Sequence, residues 1–343
     1  MFFSKRIFSP FRIIEFLFLF LLFFAIVLVV YLMSGSGEFN SDIDFGVSFS
    51  QVSAEQMEID WRKAYSSILD DLGVKKFRLI AYWQKIETNK GEYVFDDLDW
   101  QINEAEKRGA EVVLAVGQKL PRWPECHIPD WARDLSKEER ENEILSMLTE
   151  VVEHYQDNDT IKYWQVENEP FLINFGECPE FDENFLAKEI ALVRKLDKKR
   201  RPVILTASGE LSSWTKPATY GDVLGTTLYR IVWSDILERH VEYPIPAVFY
   251  NKRANYIKRL TGIDKVIIIE LQAEPWSHLM IYENTLEEQF KTMDLDRFKE
   301  IIDYTYETGF DEAYLWGVEW WYWIRENHDI DTYWLEAQKL WDN

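Results

Sequence analysis

Two glutamates follow apolar runs in positions that could support acid–base and nucleophilic chemistry. Glu169 is the last residue before the proline in the segment IKYWQVENEP, residues 161–170, and Glu270 directly follows three isoleucines in KVIIIELQAEPW, residues 265–276. Cleavage of a glycosidic bond needs two carboxyl groups on opposite sides of the anomeric carbon, one protonated and one ionised. A single glutamate at a strand end is more often a solvated loop residue, so the prediction depends on the pair.

Other polar and aromatic residues lie near the ends of apolar runs, where they could join this pair in one site. They are Arg78 in FRLIAYW, Tyr229 in TTLYR, Trp276 in LQAEPW, and Trp316 with Glu319 in LWGVEWWYW. Three further acids are candidates for the same roles or for lining a cleft, namely Glu167, Glu210 and Glu274.

Position along the chain separates the competing acids. Glu270 directly ends its apolar run, whereas Glu274 comes four residues later, so we prefer Glu270. Glu169 immediately precedes Pro170, a residue that a central strand does not accommodate, whereas Glu167 lies within the run. The sequence therefore favours Glu169 and Glu270 as the reacting carboxyl groups.

The sequence lacks the motifs that are typical of several other kinds of chemistry. No G-x-S-x-G motif marks a serine nucleophile, and no glycine-rich phosphate loop follows an early apolar run. His, Cys and Asp residues show no metal-ligand spacing, so we predict neither a catalytic metal nor a cofactor. The net charge of −22, with one short basic tract at residues 198–201, predicts no nucleic-acid partner.

A local pattern that repeats along the chain indicates which elements must position these residues. An amphipathic stretch ends in glycine, and a short apolar run follows after one or more charged residues, in segments 70–82, 106–117, 260–270 and 307–317. Glycine after a helix is the usual left-handed cap, and a short, nearly continuous apolar run is typical of a strand buried on both faces. Repeated helix, glycine and buried strand predict parallel βα units.

The apolar runs number eight, which suits a closed (β/α)8 barrel. The predicted strands are Phe45–Ser50, Phe77–Tyr82, Glu111–Gly117, Ile161–Glu169, Val203–Ala207, Val223–Tyr229, Lys265–Glu270 and Glu312–Gly317. Predicted helices between them cover residues 54–72, 98–108, 137–155, 181–196, 211–220, 246–260, 294–308 and 333–341. A doubly wound open sheet is the alternative, but it would require the glycine-rich loop that is missing. In a barrel, the ends of strands four and seven lie across the same mouth, where active sites form.

At these residues the sequence resembles the retaining (β/α)8 glycosidases of clan A, the cellulase-like superfamily. The resemblance runs from about residue 44 to the end and rests on Asn-Glu-Pro at residues 168–170 and on Glu270. Residues 83–109, a tryptophan followed by a G-x-Y-x-F turn into a helix, are also similar to the region after strand two in that clan. The resemblance implies that Glu169 is the acid/base and Glu270 the nucleophile.

The same resemblance implies roles for neighbouring side chains. Asn168 would hydrogen-bond the sugar 2-hydroxyl, Arg78 and Tyr229 would keep the nucleophile ionised and aimed, and Trp316 would be the sugar platform. Trp276 and Glu319 are further candidates for substrate binding. The sequence departs from the clan in lacking a histidine directly after strand three or six, although His127 lies farther along the strand-three loop. The family within the clan, the sugar and the linkage therefore stay open.

Two other functions fit the same barrel. One is a membrane-tethered carbohydrate-binding protein that has lost catalysis, against which the intact pair of glutamates argues. The other is an enzyme of a different class on the same scaffold, such as a transglycosylase or a lyase. Activity on an aryl glycoside, and product analysis in isotopic water, would distinguish these.

The N-terminal region predicts a transmembrane signal anchor. Residues 13–33 are apolar except for Glu15, and about 20 such residues span a bilayer. Lys5, Arg6 and Arg12 precede this run and no Lys or Arg follows it until Arg62, so the positive-inside rule places the N-terminus in the cytoplasm. A cleaved signal peptide is the alternative. The predicted organisation is a cytoplasmic segment 1–12, an anchor 13–33, a linker 34–43 and an extracytoplasmic barrel 44–343.

The two cysteines, Cys126 and Cys178, fall in the predicted loops after strands three and four. These loops are neighbours at the barrel mouth, and an oxidising exterior permits a disulfide. Two free thiols are the alternative. A disulfide would require their Cα atoms to approach within about 6.8 Å.

Overall fold

The first helix of the molecule is long and apolar. The computed structural model describes residues 10–342, and its helix α1 spans Pro10–Met33. Its segment Ile14–Met33 is long and apolar enough to cross a membrane, and none of that segment is buried. The helix begins three residues before the predicted boundary at residue 13. Lys5 and Arg6, on which the predicted orientation partly depends, lie outside the described residues.

The main body of the chain is a closed barrel of eight parallel strands, as the sequence predicted. Its strands are β1 (Asp44–Ser48), β2 (Lys76–Ile80), β3 (Glu111–Val116), β4 (Ile161–Val166), β5 (Val203–Ala207), β6 (Val223–Leu228), β9 (Lys265–Gln272) and β10 (Glu312–Trp316). An antiparallel hairpin, β7 (Ile231–Ser234) and β8 (Arg239–Glu242), follows β6, so β9 and β10 are the seventh and eighth barrel strands. Closure between β1 and β10 brings all the strand ends to one mouth.

Helices alternate with the strands. They are α2 (Gln51–Gln56), α3 (Trp61–Asp70), α4 (Trp83–Ile86), α5 (Asp96–Lys107), α6 (Lys137–Tyr155), α7 (Glu183–Leu196), α8 (Thr215–Tyr220), α9 (Ala247–Thr261), α10 (Leu286–Gln289), α11 (Leu295–Tyr306), α12 (Val318–His328) and α13 (Thr332–Gln338). The predicted helix at 54–72 is two helices, because Glu58 adopts a left-handed backbone with φ 56° that ends the first. Asp60 then caps the second by accepting the amides of Arg62 and Lys63. The hairpin and α12 were not predicted.

The glycines that end the amphipathic stretch in each of the four repeated segments have the conformation that the pattern requires. Gly73, Gly109, Gly262 and Gly309 all have positive φ angles. Gly262, for example, caps α9 in the left-handed region, and its amide donates to the carbonyl of Lys258. Other residues strain in this conformation, so glycine fixes where each of these helices ends.

Two apolar layers hold the barrel together. The larger core lies between the strands and the surrounding helices, and a smaller cluster fills the barrel interior with Val113, Ile204, Val223, Ile267, Ile269 and Tyr314. Fully burying one such aliphatic side chain contributes roughly 1.5–3 kcal/mol. On β2, Phe77 and Leu79 face the helices, so Arg78 between them faces the interior. A charged residue inside the barrel requires partners there.

The segment predicted as a linker packs against the barrel. The backbone amide of Asn40 donates to the carbonyl of Tyr306 at 2.9 Å, and its side-chain amide donates to the carbonyl of Phe310 at 3.0 Å. Gly37 lies so close that a Cβ there would come within 1.9 Å of the Glu307 carbonyl oxygen. Contacts with residues at and after the C-terminal end of α11 therefore hold the segment that connects α1 to β1.

The two cysteines form the predicted disulfide. Cys126 and Cys178 are bonded, with a Cα–Cα distance of 5.2 Å. The bond joins the loop after β3 to the loop after β4.

Candidate active site

Glu270 lies at an irregularity in β9. The register pairs Thr226 with Ile268 and Thr227 with Glu270, so Ile269 has no partner on β6. A similar shift occurs on the other side of β9, against β10. Bulges of this kind change the direction in which a side chain points and are frequent beside active sites. The bulge thus accounts for the direction in which the Glu270 side chain points.

Two side chains hold the Glu270 carboxylate. Nη1 of Arg78 lies 2.7 Å from Oε1, and the hydroxyl of Tyr229 donates to Oε2 at 3.1 Å. The adjacent guanidinium favours the ionised carboxylate. Burial, and then the charge of Glu270, raise the pKa of Tyr229 well above its ordinary value, so its hydroxyl keeps the proton that it donates. This arrangement supports an ionised, oriented Glu270.

The fully buried Arg78 has further partners on β4. Its Nε donates to Oε1 of Gln165 at 2.8 Å, and its Nη2 donates to Oδ1 of Asn168 at 2.8 Å. Gln165 in turn donates to the carbonyl of Glu167 at 2.9 Å. These contacts spread the buried charge over several acceptors, which a guanidinium inside a barrel requires. They also bring three of the predicted site residues, Arg78, Asn168 and Glu270, into one hydrogen-bonded group.

The chain after β4 turns sharply, and its hydrogen bonds fix that turn. Glu167 and Glu169 have φ angles of 59° and 42°, a strained region for residues with a Cβ. The amide of Asn168 donates to the carbonyl of Lys119 at 2.6 Å, and the amide of Glu169 donates to Oγ1 of Thr206 at 2.6 Å. Nζ of Lys119 also donates to the Glu169 carbonyl at 3.1 Å. Strain of this kind is common at functional sites.

The carboxylate of Glu167 accepts hydrogen bonds from backbone amides of the loop after β3. It accepts the amides of Gln118 at 2.9 Å and Lys119 at 2.6 Å. Gly117 makes this approach possible, because a Cβ there would lie 2.3 Å from Oε1 of Glu167. Glu167 therefore binds the strand-three loop and leaves Glu169 as the free carboxyl of this turn.

Glu169 is buried at 6% exposure and has an unpaired oxygen. Its Oε1 is enclosed without a hydrogen-bond partner among residues 10–342. Burial raises its pKa well above the ordinary value, and the charges of Glu270 and Glu125 raise it further. Burial and these neighbouring charges therefore favour the protonated form of Glu169, which is the form that a general acid needs.

A second group of charged residues lies at the same mouth. Arg122 from the strand-three loop pairs with both Glu274 and Glu319, and the latter also accepts the amide of Ser50. The guanidinium of Arg122 lies over the ring of Trp316 at 4.1 Å. Trp316 and Glu319 thus come together, with one face of the tryptophan ring covered by Arg122; the platform role of Trp316 stays a prediction.

Tyr229 is supported by residues that line the mouth. Glu210 accepts the backbone amide of Tyr229 at 2.9 Å and the hydroxyl of Tyr250 at 2.5 Å. Trp276 packs edge-on against the Tyr229 ring at 4.9 Å between ring centroids. Trp276 is therefore connected to the residues around Glu270 through Tyr229.

His127, the residue that could replace the missing histidine, supports the strand-three loop. It is fully buried, with Nε2 3.0 Å from the Arg122 carbonyl and Nδ1 3.3 Å from the Gln84 side chain. Burial lowers its pKa to about 4, so it is neutral at physiological pH. These contacts hold the loop that carries Arg122 against Gln84 of α4.

Sequence reasoning missed three residues of this mouth, namely Gln165, Arg122 and Glu125. Gln165 lies in the middle of a predicted strand, and the other two lie in a loop without a recognised motif. A glutamine between apolar neighbours in YWQV was the one available signal, because a buried polar side chain needs a partner. In the part of the chain from residue 10 to 342, no three His, Cys, Asp or Glu side chains converge as a metal site.

The family model for cellulase, glycosyl hydrolase family 5, matches residues 44–257 of this chain. A curated relative, the β-galactosidase BgaA of Clostridium cellulovorans, is 24% identical over 176 residues. That match covers 46% of this chain and only 26% of the relative, so the chain spans about a quarter of the curated relative that it matches.

Solved structures share the fold at low sequence identity. Xylanase 10B of Thermotoga petrophila, solved with xylobiose, has a TM-score of 0.52 and 15% identity, covering 80% of this chain and 82% of the xylanase. A GH5_18 protein of Streptomyces cattleya, solved with GlcNAc, has a TM-score of 0.54 and 14% identity, covering 80% and 70% of the two chains. These likenesses support the barrel fold.

Proposed function

This chain belongs to glycosyl hydrolase family 5, the cellulase family, and we propose that it cleaves O-glycosidic bonds of an oligo- or polysaccharide by double displacement. The observation that carries the proposal is the contrast between two carboxyl groups at one barrel mouth. Glu270 is held by Arg78 and Tyr229, which favour its ionised form, whereas Glu169 is buried beside other carboxyl groups, which favours its protonated form. Retaining glycosidases divide the reaction between two such groups.

In the first step, the Glu270 carboxylate attacks the anomeric carbon and forms a glycosyl ester. The bond from that carbon to the leaving oxygen breaks, and Glu169 transfers its proton to this oxygen. Arg78 and Tyr229 orient the attacking oxygen, and Gln165 and Asn168 hold Arg78 in turn.

In the second step, water attacks the same carbon while the Glu169 carboxylate accepts its proton. The ester bond breaks and the Glu270 carboxylate is restored. Ester formation removes the charge of Glu270, one of the causes that raise the pKa of Glu169. Glu169 can therefore release its proton in the first step and act as a base in the second.

Four further side chains are proposed to bind the sugar. Asn168 lies next to the acid/base and would contact the 2-hydroxyl, and Trp316, Trp276 and Glu319 would line the cleft around the cleaved bond. Aromatic rings offer sugars an apolar face, and buried carboxylates accept hydroxyl hydrogen bonds. Xylobiose and GlcNAc are the ligands of two structurally similar proteins and concern those proteins, so the sugar of this enzyme needs direct measurement.

We also propose that the enzyme works outside the cytoplasm while tethered to a membrane. Segment 1–12 would be cytoplasmic, 13–33 the anchor, 34–43 the connection and 44–343 the catalytic domain. An exposed apolar helix and a disulfide in the catalytic domain support this, because disulfides persist in oxidising compartments. Protease added outside intact cells should digest or release the barrel; protection of the barrel in accessible cells would contradict the orientation. An N-terminus near residue 37 in the mature protein would favour the cleaved signal peptide.

The test of the enzymatic proposal is a screen of the purified full chain against aryl glycosides and polysaccharides. For an active aryl glycoside, proton NMR should show that the first product keeps the anomeric configuration of the substrate. A 2-deoxy-2-fluoro glycoside with a good leaving group should label Glu270, which peptide mass spectrometry can locate. Product analysis in isotopic water would separate hydrolysis from a lyase or transglycosylase reaction.

A matched control is Glu180→Ala, which removes an exposed carboxyl group from the loop that also carries Glu169. Its turnover should equal that of the wild type. Inversion of configuration, or labelling at a residue other than Glu270, would contradict the double displacement proposed here.

A further inference from the structure

A third carboxyl group, from Glu125, lies in the loop after β3 beside the two candidate catalytic residues. Its backbone is left-handed at φ 71°, held by its amide donating to the Arg122 carbonyl at 2.8 Å and by its carbonyl accepting the Leu120 amide at 2.7 Å. Gly176 makes room for it, because a Cβ on that glycine would lie 2.5 Å from the Glu125 Cβ. The fold thus places a buried carboxyl group, 5% exposed, at the cost of local strain.

Hydrogen bonds connect Glu125 to the candidate nucleophile. Nδ2 of Asn168 donates to Oε2 of Glu125 at 3.0 Å, and Oδ1 of Asn168 accepts from Arg78 at 2.8 Å. Arg78 then reaches Glu270 at 2.7 Å. This chain of contacts orients both ends of the Asn168 amide. It also means that a sugar hydroxyl bound by Asn168 would lie next to Glu125.

The second oxygen of Glu125 is available to a ligand. Within residues 10–342, Oε1 has no hydrogen-bond partner, and it is not among the fully enclosed polar atoms. Burial, and then the charge of Glu270, raise the pKa of Glu125 to about 8. Because Oε2 accepts from Asn168, the proton of the neutral acid belongs on Oε1. The group is then a hydrogen-bond donor on an atom that is not fully enclosed.

We propose that Glu125 contacts the substrate in the subsite that holds the reacting sugar ring, and that it binds one ring hydroxyl as a hydrogen-bond donor. The inference rests on the proposed glycosidase function and extends it to a substrate class. A neutral ring with a free hydroxyl at this position fits the site. A ring with an anionic substituent there does not, because the substituent would face Glu125 and Glu270 in a poorly solvated space.

The competing explanation is that Glu125 only positions Asn168. Substrate deoxygenation distinguishes the two, because removing a hydroxyl has an effect through Glu125 only where the two groups touch. The experiment measures kcat/KM of the full chain for its best aryl glycoside and for each monodeoxy analogue, in the wild type, Glu125→Gln and Glu125→Ala. Glutamine keeps a hydrogen-bond donor at the same place, and alanine removes it.

We expect Glu125→Ala to lower kcat/KM on the parent glycoside by about tenfold to a hundredfold, because a buried hydrogen-bonding group loses its partner. For one monodeoxy analogue, kcat/KM should be about tenfold lower than for the parent glycoside in the wild type and in Glu125→Gln. In Glu125→Ala the same comparison should give a loss of less than about threefold. A penalty that is equal in all three proteins at every position would overturn the contact and leave Glu125 a positioning residue.

Two controls keep this result separate from misfolding and from failure of the proposed function. Thermal melting and the absence of free thiols should show that each variant is folded with its disulfide formed. If the wild type cleaves no glycoside, the glycosidase proposal fails, and binding of an iminosugar panel by calorimetry then tests Glu125 alone. Weaker binding in Glu125→Ala, recovered in Glu125→Gln, would support the contact, whereas equal binding, or no binding to the wild type, would overturn it.

Discussion

Buried glutamates lie at both ends of this barrel, and their pKa values shift in opposite directions. At the N-terminal end of β10, Glu312 lies beside Lys76 and Lys265 and accepts the hydroxyl of Tyr314 at 2.7 Å. Burial pushes the pKa of Glu312 upward, but the hydrogen bond from Lys265, the charge of Lys76 and the bond from Tyr314 outweigh it, and the pKa falls below its ordinary value. This glutamate is ionised and fully paired.

At the C-terminal end, Glu169 and Glu125 are buried near Glu270, and the charge of Lys119 lowers their pKa values less than burial and Glu270 raise them. Burial and the charge of Glu270 raise the pKa of both. The same residue type is therefore an ion-pair partner with a lowered pKa at one end and a carboxyl group with a raised pKa at the other. Charged and hydrogen-bonding partners, more than burial, thus set the direction of the pKa shift of a buried glutamate in this barrel. Raised pKa values at the C-terminal end agree with the usual location of active sites at that face.

The largest expected effect comes from the two candidate catalytic residues. Glu270→Ala should abolish turnover on every substrate. Glu169→Ala should slow glycosides with poor leaving groups by about 10²–10⁴-fold, while sparing the first step for good leaving groups. Azide should restore its turnover as a β-glycosyl azide if the enzyme acts on β-linkages. Steady-state kinetics against leaving-group pKa check this.

The distance between the two carboxyl groups tests the same proposal. Retaining chemistry requires about 5–5.5 Å, and inverting chemistry about 6.5–9.5 Å. We expect the shorter value in a crystal structure. If the ordered carboxyl groups of Glu169 and Glu270 are more than about 9 Å apart, they are not the catalytic pair. Glu274 or Glu319 would then need testing.

The disulfide should give the next largest effect, on stability at the C-terminal end. Replacing Cys126 and Cys178 together by serine should cost about 2–4 kcal/mol of unfolding free energy, because the bond closes a long loop. Glu125 directly precedes Cys126, so kcat/KM should fall as well. Denaturant unfolding with and without reductant measures this, and an unchanged midpoint after verified reduction would contradict it.

Glu312→Gln tests the opposite end. It should lower the unfolding free energy by about 2 kcal/mol, since Lys76 and Lys265 would lose a buried partner. The kcat of the folded enzyme should stay at the wild-type value, because Glu312 lies far from the proposed reaction. If Glu312→Gln lowers kcat as much as Glu169→Ala does, the proposed difference between the two ends of the barrel is contradicted.

The smallest effect is on the pH dependence of stability. Glu312 has a lowered pKa, so its contribution is present above the unfolded value near 4.5 and is lost as pH falls through its folded pKa. Glu125 has a raised pKa, so the folded state is progressively disfavoured as pH rises from about 4.5 to about 8. Plots of melting temperature against pH should therefore lose part of their slope below about pH 4.5 in Glu312→Gln, and part of their decline between about pH 4.5 and 8 in Glu125→Gln. The reverse assignment of slopes would refute this explanation.

Much of the architecture could be predicted because its signals are local. The strand predicted at Val203–Ala207 and the helix predicted at 137–155 match the structure, and the glycines after the helices have positive φ. Buried apolar runs and glycine caps act over a few residues, so they can be recognised without knowing what lies beside them. The errors include the break at Glu58 and helix α12, where a left-handed residue and a tryptophan-rich segment obscure the helical pattern, and the β7–β8 hairpin, which was not predicted.

The candidate site was predictable only in part. The sequence itself determined the candidates Glu169 and Glu270, because each ends an apolar run and the ends of parallel strands meet at one mouth. Only the tertiary structure shows that Glu167 accepts the backbone amides of Gln118 and Lys119. It likewise shows that Glu125 accepts a hydrogen bond from the Asn168 side chain. These contacts join residues more than 40 positions apart in the chain, and local sequence carries no signal for them. They exist only because the barrel closes and brings the loops of neighbouring strands together.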